Sequence, residues 1–197
     1  FTFFCIYLLI NTFNMADGIN GLSIGITIIW ISFLWIFSTN FDTTFYCVIL
    51  FNLLVLLFFN LKNRIFIGNS GSYLLGGMIS VITIYLYNLE YLLSNNEKNL
   101  YVENILLLFL IPGLDCARLF FYRIFILKKN FYKADKNHLH HILFDKYGPY
   151  NSLIIYLSIV FIPNYFVFFF KDYILHTILI TILGYLFIIH HYKVLKK

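Results

Sequence analysis

The chain has 197 residues, of which 61% are hydrophobic, 21% aromatic and 12% charged, and its formal net charge is +5. Soluble domains carry about 25% charged residues, so this composition excludes an ordinary soluble protein and predicts a polytopic membrane protein. The three cysteines, Cys5, Cys47 and Cys116, are odd in number and widely spaced. They therefore predict neither a disulfide framework nor a zinc cluster.

Uncharged windows predict the transmembrane helices, because a helix needs about 20 apolar residues to cross the hydrocarbon core. Residues 1–13 are interpreted as the end of a first helix. Six further windows approach the full length: 21–39, 44–61, 72–89, 104–124, 151–170 and 173–192. We therefore predict an all-α fold, a polytopic integral membrane helical bundle of about six full transmembrane helices plus a partial first one. The whole chain, residues 1–197, is predicted to be a single membrane domain.

The window 104–124 differs from the others because it contains polar residues. Pro112 and Gly113 interrupt it, and Asp115, Arg118 and Arg123 follow. Charged groups are costly in hydrocarbon, so the second half of this segment is predicted to lie at the interface or in a cavity.

Basic residues predict the orientation, because Lys and Arg in short loops concentrate on the cytoplasmic side. Alternating helices put 12 of the 14 basic residues on one side and leave only Lys98 and Lys171 on the other. We assign the basic side to the cytoplasm. This face suits anionic lipid head groups and phosphorylated solutes, and nucleic acid is not expected as a partner.

Two glycine-rich polar segments are predicted on the cytoplasmic side. In residues 14–22, Asn14 and Asp17 have helical spacing, and the glycines would allow close backbone approach to a ligand. A capped helix start explains this segment equally well. The segment 68–72 joins a basic loop to a helix whose N-terminal N–H groups would suit a phosphate. A turn followed by an N-cap is the alternative interpretation.

A third polar segment, residues 135–141, contains three histidines after Asp135. His138 and His141 are predicted to share a helical face, but no Cys or Glu at ligand spacing supports a closed zinc site. Proton transfer or contact with a diphosphate fits these histidines better. A solvated loop with incidental histidines is the alternative.

The order and spacing of these segments resemble the polyprenyl-phosphate N-acetylhexosamine-1-phosphate transferases of glycosyltransferase family 4. The resemblance rests on Asn14-Met-Ala-Asp-Gly-Ile-Asn-Gly-Leu, Gly68-Asn-Ser-Gly-Ser-Tyr-Leu-Leu-Gly, Pro112-Gly-Leu-Asp and Asp135-Lys-Asn-His-Leu-His-His. It implies a membrane enzyme that transfers a sugar 1-phosphate from a UDP-sugar to undecaprenyl phosphate and releases UMP. The His-Leu-His-His form resembles the GlcNAc branch of O-antigen, common antigen or teichoic acid synthesis. Phospho-MurNAc-pentapeptide transferase of peptidoglycan synthesis is the alternative.

The resemblance also implies roles for individual residues. The implied catalytic residues are Asp17, Asp115, His138, His140 and His141. The implied substrate-binding residues are Asn14, Gly18, Asn20, Gly21, Ser70, Gly71, Ser72, Arg118, Arg123 and Asp135. Asn69 and Asp17 stand at the implied metal position, for Mg²⁺ or alternatively Mn²⁺. The implied setting is the cytoplasmic face of a bacterial inner membrane, with the UDP-sugar, undecaprenyl phosphate and the bilayer as partners. A homodimer is a further prediction, because dimerisation is common for polytopic enzymes.

The chain departs from the family pattern at two acidic positions. Asn69 stands where the family has Asp, and Asn20 stands where a second Asp is usual. An amide oxygen lacks the negative charge that makes a carboxylate a strong ligand for a hard cation. The family's Asp-Asp pair lies upstream of the first motif and is not among these residues. We therefore expect the chain to be the C-terminal portion of a longer enzyme and to be inactive alone.

Two other functions fit parts of the sequence. A non-catalytic remnant or paralogue would bind nucleotide sugar or polyprenyl phosphate without turnover, and Asn20 and Asn69 favour it. A transporter would use Asp115, Arg118 and the histidines as a polar pathway through the membrane. Transporters often contain internal repeats, and the sequence shows none.

Overall fold

The computed structural model describes residues 2–38, 42–93, 100–127 and 137–195, and their regular structure is helical throughout. This confirms the predicted all-α class. The α-helices are α1 (Thr2–Ala16), α2 (Leu22–Phe37), α3 (Thr43–Leu61), α4 (Gly68–Leu93), α5 (Val102–Phe121), α6 (Leu139–Phe169) and α7 (Ile174–Leu195). The chain divides into two compact units, Phe1–Leu108 and Phe109–Lys197. The single-domain organisation stays a prediction.

Five of the described helices are long and apolar enough to cross a membrane, which confirms the polytopic character. They are Thr43–Leu61, Gly68–Leu92, Val102–Phe125, Leu139–Phe169 and Lys171–Tyr192. The predicted window 21–39 forms a shorter apolar helix of 16 residues. It is shorter because Gly21 before it has a left-handed backbone, with φ 85°, and the extended Ser38 ends it.

In the first unit, α1 packs on α4, and α2 packs on α3 and α4. Most of α2 is buried, as expected of a helix that is apolar on every face. The rings of Phe13 in α1 and Trp30 in α2 lie 5.4 Å apart between centroids. Gly76 lets α1 and α4 approach closely, because a Cβ atom there would lie 3.1 Å from the Ile10 Cα atom. The core of this unit therefore surrounds α2.

In the second unit, α5 continues through Pro112 to Phe121 and is followed by a π-helical segment, Tyr122–Leu127. α6 contains a kink at Gly148, where φ is 75°, directly before Pro149. A short 3₁₀ segment, Lys171–Tyr173, connects α6 to α7, and these two helices pack together as neighbours. Short connections of this kind favour antiparallel packing.

Candidate active site

The first two polar segments meet in the first unit, where α1 ends and α4 begins. The Ser72 hydroxyl donates a hydrogen bond of 2.6 Å to the Asn14 side-chain oxygen. The Asn14 amide in turn donates to the Tyr73 hydroxyl at 3.3 Å. Ser72 is fully buried, whereas Asn14 is half-buried. The structure thus brings together two predicted substrate-binding residues that lie 58 positions apart in sequence.

Asp17 follows the end of α1, and its backbone N–H donates to the Asn14 carbonyl at 3.3 Å. The Ser23 hydroxyl donates to the Asp17 carboxylate at 2.7 Å. Burial raises the pKa of Asp17 above its ordinary value of 3.8, although the Ser23 hydrogen bond acts in the opposite direction. Within the part of the chain that the structure describes, no cationic side chain pairs with the Asp17 carboxylate.

Asn20 and Gly21 are held by two asparagines at the end of α3. The Asn20 amide donates to the Asn63 side-chain oxygen, and the Gly21 N–H donates to the Asn60 side-chain oxygen. The buried Asn60 also donates to the Ile65 carbonyl at 2.8 Å. Asn60 therefore connects the turn before α2 to the loop before α4. The sequence interpretation missed this role, although an amide at the end of an apolar helix was a usable signal.

The segment 68–72 is helical, which corrects its prediction as a loop before a helix at residue 72. α4 begins at Gly68, whose φ of 61° marks the change of chain direction. Asn69 and Ser70 are exposed in the first turn, and Gly18 is exposed in the preceding polar segment. A side chain at Gly71 would collide with Ile67. Backbone N–H groups in a first helical turn have no partner within the helix, so this position suits an anion.

Asp115 is the centre of a second polar cluster, in the second unit. It is only 4% exposed. Its carboxylate accepts hydrogen bonds from the Arg118 guanidinium and the Tyr185 hydroxyl, at 2.9 and 2.8 Å. It also accepts from the Leu139 backbone N–H at 3.1 Å. Asp115 thereby caps the N-terminus of α6 from a different helix, where a negative charge is favourable.

The three histidines lie at the start of α6. His138 immediately precedes the helix with an extended backbone, so it does not share a helical face with His141 as predicted. Its Nδ1 atom lies 2.9 Å from the Asp115 carboxylate. His140 is 1% exposed and stacks against both other rings, with centroids 5.5 Å from His138 and 4.2 Å from His141. Within the described residues, neither ring nitrogen of His140 has a hydrogen-bond partner.

Three further residues were predicted to bind substrate, and the structure describes the positions of two of them. Arg118 is half-buried and donates to the Asn137 carbonyl and the Tyr185 hydroxyl as well as to Asp115. Arg123 is buried. Asp135 lies outside the described residues. Tyr185 was missed by the sequence interpretation, because nothing distinguishes it among 16 tyrosines.

The described residues contain no group of three or more His, Cys, Asp or Glu side chains that could hold a metal ion. Asp17 lies in the polar cluster of the first unit, and it is the carboxylate that the sequence predicts as a metal ligand. Carboxylate, amide and hydroxyl oxygens are the ligand types that Mg²⁺ accepts, and substrate phosphates usually supply others. The metal-binding roles of Asp17 and Asn69 stay predictions.

This fold and these buried polar clusters define a polytopic helical membrane protein. Residues 1–87 match the family described as glycosyl transferase family 4. This match and the similarity to the relatives below support this family for the chain.

Three relatives illustrate the similarity. The chain is 30% identical over 151 residues to an undecaprenyl-phosphate alpha-N-acetylglucosaminyl 1-phosphate transferase of Thermotoga maritima. This alignment covers 76% of the chain and 44% of that protein. It is 36% identical over 81 residues to a phospho-N-acetylmuramoyl-pentapeptide-transferase of Staphylococcus carnosus, an alignment that covers 39% of the chain and 25% of that protein. A transferase of the same name from Lactobacillus delbrueckii subsp. bulgaricus is 34% identical over 97 residues, an alignment that covers 44% of the chain and 30% of that protein. The chain thus spans less than half the length of these relatives. No solved structure matches it.

Proposed function

We propose that the protein containing this chain transfers a sugar 1-phosphate from a UDP-sugar to undecaprenyl phosphate. The observation that carries the proposal is the Ser72–Asn14 hydrogen bond, which joins two family motifs beside Asp17. These residues lie within the part of the chain that matches the family. The Thermotoga maritima relative favours GlcNAc 1-phosphate as the transferred group.

The chemistry of this reaction suits a basic membrane face. An oxygen of the lipid phosphate attacks the phosphorus that carries the sugar, the diphosphate bond breaks, and UMP leaves with the bonding electrons. Phosphoryl transfer depends mainly on positioning and on stabilisation of negative charge. We place the reaction on the cytoplasmic side of a bacterial inner membrane, because most Lys and Arg residues are assigned to that side.

Mg²⁺ is the proposed cofactor, with Mn²⁺ as the alternative. The half-buried Asp17 carboxylate fits a cation. Burial raises the pKa of Asp17, and among the described residues no ion pair compensates its charge, so a bound cation would supply that compensation. Asn69 would contribute a neutral amide oxygen. When bound, the ion would neutralise the charge of the diphosphate. The buried Ser72 would keep Asn14 in place at the same cluster.

The second unit contains its own polar cluster, and we propose separate roles in the reaction for its residues. We assign phosphate contact or proton transfer to His138, supported by its anchoring to Asp115. The Arg118 guanidinium is held by Asp115 and Tyr185, so its charge has a defined position. The buried His140 is assigned a packing role between His138 and His141. A homodimer stays a prediction.

The direct test uses the protein at its natural length, reconstituted with undecaprenyl phosphate and Mg²⁺. We expect UDP-GlcNAc to give a lipid-linked sugar diphosphate and UMP. We expect Asp17→Ala and His138→Ala to abolish transfer while the protein stays folded. Transfer from UDP-MurNAc-pentapeptide instead would select the peptidoglycan alternative. Near-normal turnover by either variant would contradict the assigned residues.

The non-catalytic alternative is favoured by one contact. The Asn20 amide, at a position where the family usually has Asp, is paired with Asn63 rather than with a carboxylate or a basic group. A protein of this kind would bind the UDP-sugar or the lipid phosphate without releasing UMP. Equilibrium binding of UDP-GlcNAc, measured together with UMP release, separates the two functions. Asn69→Asp should raise the Mg²⁺ affinity if the asparagine is a weakened ligand.

A further inference from the structure

We propose that Tyr185 of α7 is a positioning residue for the candidate active site and that it acts through Asp115 on His138. The inference rests on the proposed function for its effect on catalysis. Tyr185 is 2% exposed, so it is not placed to meet a soluble substrate directly. Its hydroxyl is nevertheless bonded to two groups that the family resemblance places in the site.

The Tyr185 hydroxyl lies between a carboxylate and a guanidinium. It donates to the Asp115 Oδ1 atom at 2.8 Å and accepts from the Arg118 Nε atom at 2.7 Å. A hydroxyl can donate one hydrogen bond and accept another, so both of its capacities are used here. Tyr185 thus fixes the relative placement of Asp115 and Arg118, which also form an ion pair at 2.9 Å.

The other carboxylate oxygen of Asp115 contacts His138, so a change in the position of Asp115 also changes the position of His138. The His138 Nδ1 atom lies 2.9 Å from the Asp115 Oδ2 atom. An ionised carboxylate only accepts hydrogen bonds, so Nδ1 must carry the proton in this contact. The contact therefore selects the ring orientation and the nitrogen that bears the proton, and leaves Nε2 as the atom for other partners.

Removing the Tyr185 hydroxyl would loosen this arrangement without removing any charged group. Asp115 would lose one donor, and Arg118 would lose one acceptor, in a buried position where unpaired polar groups are costly. The carboxylate and the guanidinium could then rotate together. His138 would then contact Asp115 for only part of the time, and the contact would no longer select a single tautomer.

The test compares Tyr185→Phe with Tyr46→Phe, in the protein at its natural length. Both changes remove one hydroxyl from a buried tyrosine and retain the ring, but Tyr46 belongs to the first unit. We expect Tyr185→Phe to lower kcat about tenfold while the KM for the UDP-sugar stays within about twofold. Tyr46→Phe should retain the kcat of the wild type. Full activity of Tyr185→Phe would overturn the inference.

A spectroscopic readout makes the inference independent of catalysis. The imidazole ¹⁵N resonances of ¹⁵N-histidine-labelled protein report which ring nitrogen carries the proton, and the loss of a signal in His138→Gln assigns His138. We expect the wild type to be protonated at Nδ1 and Tyr185→Phe to give a mixture of tautomers. If the wild type transfers no sugar phosphate but the tautomer changes, the proposed function fails while the positioning role is supported. An unchanged His138 signal in Tyr185→Phe would overturn the positioning role.

Discussion

The Ser72 hydroxyl donates to the Asn14 side-chain oxygen at 2.6 Å, and this contact joins the start of α4 to the end of α1. It lies one helical turn from Gly76, where the two helices approach closely. The close approach and the hydrogen bond depend on each other, because a side-chain hydroxyl reaches only a short distance. Asn14 is thereby oriented by helix packing as well as by its own backbone.

Ser72→Ala tests this contact. The change leaves the Asn14 oxygen without its buried donor, so we expect roughly 1 kcal/mol lower stability and weaker binding of the UDP-sugar. Thermal unfolding and binding of the UDP-sugar measure the two effects. Ser80→Ala is the matched control, since the Ser80 hydroxyl is buried in the same helix but donates to the Gly76 carbonyl of that helix at 2.7 Å. Equal behaviour of the two variants would contradict a role for the Ser72 hydroxyl.

Gly76→Ala tests the close approach of α1 and α4. A Cβ atom at this position would lie 3.1 Å from the Ile10 Cα atom and 3.2 Å from the Phe13 Cβ atom, so the helices must shift apart by a few tenths of an ångström. We expect a loss of about 1–3 kcal/mol of stability from overpacking, with lower transfer activity because the Ser72–Asn14 hydrogen bond lengthens.

Gly77→Ala is the control for this change. A Cβ atom at Gly77 would meet only the Ile10 side chain, at an ordinary contact distance of 3.8 Å. We expect this variant to fold and to unfold at the wild-type temperature. A stable, active Gly76→Ala variant would show that the two helices can adjust their distance.

The raised pKa of Asp17 predicts a pH dependence of stability. Because folding favours the protonated form, the contribution of Asp17 to the free energy of unfolding is fully present below the ordinary value of 3.8. It is lost as the pH rises through the raised folded value. Without metal, Asp17→Asn should therefore be at least as stable as the wild type at neutral pH and should lose less stability across this range. The exposed Asp172→Asn is the control, and an identical pH profile for the wild type and Asp17→Asn would contradict the prediction.

Mg²⁺ should stabilise the protein through Asp17. We expect added Mg²⁺ to raise the unfolding temperature of the wild type, because a ligand that binds only the folded state stabilises it. The shift should disappear in Asp17→Asn, which keeps the shape of the side chain but removes its charge. The measurement needs no turnover, and K⁺ at equal ionic strength controls for screening. A shift of equal size in both proteins would exclude Asp17 as a ligand.

Asn60→Leu should destabilise the turn before α2 and the loop between α3 and α4. The substitution removes the acceptor of the Gly21 N–H and the donor to the Ile65 carbonyl, at a position that is 2% exposed. We expect a loss of about 1–3 kcal/mol for each buried group left unpaired, read by thermal unfolding. Asn52→Leu, in an exposed position of the same helix, is the control. Wild-type stability of Asn60→Leu would mean that water replaces both contacts.

The helical class and most membrane spans could be predicted from the sequence, because hydropathy depends on the residues within one window. Helix ends were harder to predict. The helix predicted from residue 72 begins at Gly68, since the polar residues Asn69, Ser70 and Ser72 occupy a first helical turn. The window 21–39 was too long, because it included the backbone of Gly21 and the extended Ser38.

The candidate site was predictable only in part. Polar residues in an apolar chain predicted Asn14, Asp17, Asp115 and His138 as candidates, and the structure places each of them in one of two polar clusters. Their partners could not be identified, because the contact between Asp115 and Tyr185 spans 70 positions. The same limit applies to Asn60, which meets Gly21 across 39 positions. Such contacts depend on how helices pack, and hydropathy does not predict that packing.

The several donors around Asp115 also imply an order of assembly during biosynthesis. Arg118, three residues later, can pair with the carboxylate as soon as α5 forms, so the charge need not enter the bilayer uncompensated. His138 and Leu139 leave the ribosome next, and Tyr185 follows only after another 46 or more residues. A nascent chain interrupted before α7 would therefore be inserted, with Asp115 neutralised by Arg118, yet without the hydroxyl that completes the cluster. We therefore expect insertion into the bilayer and completion of the Asp115 cluster to be separate events.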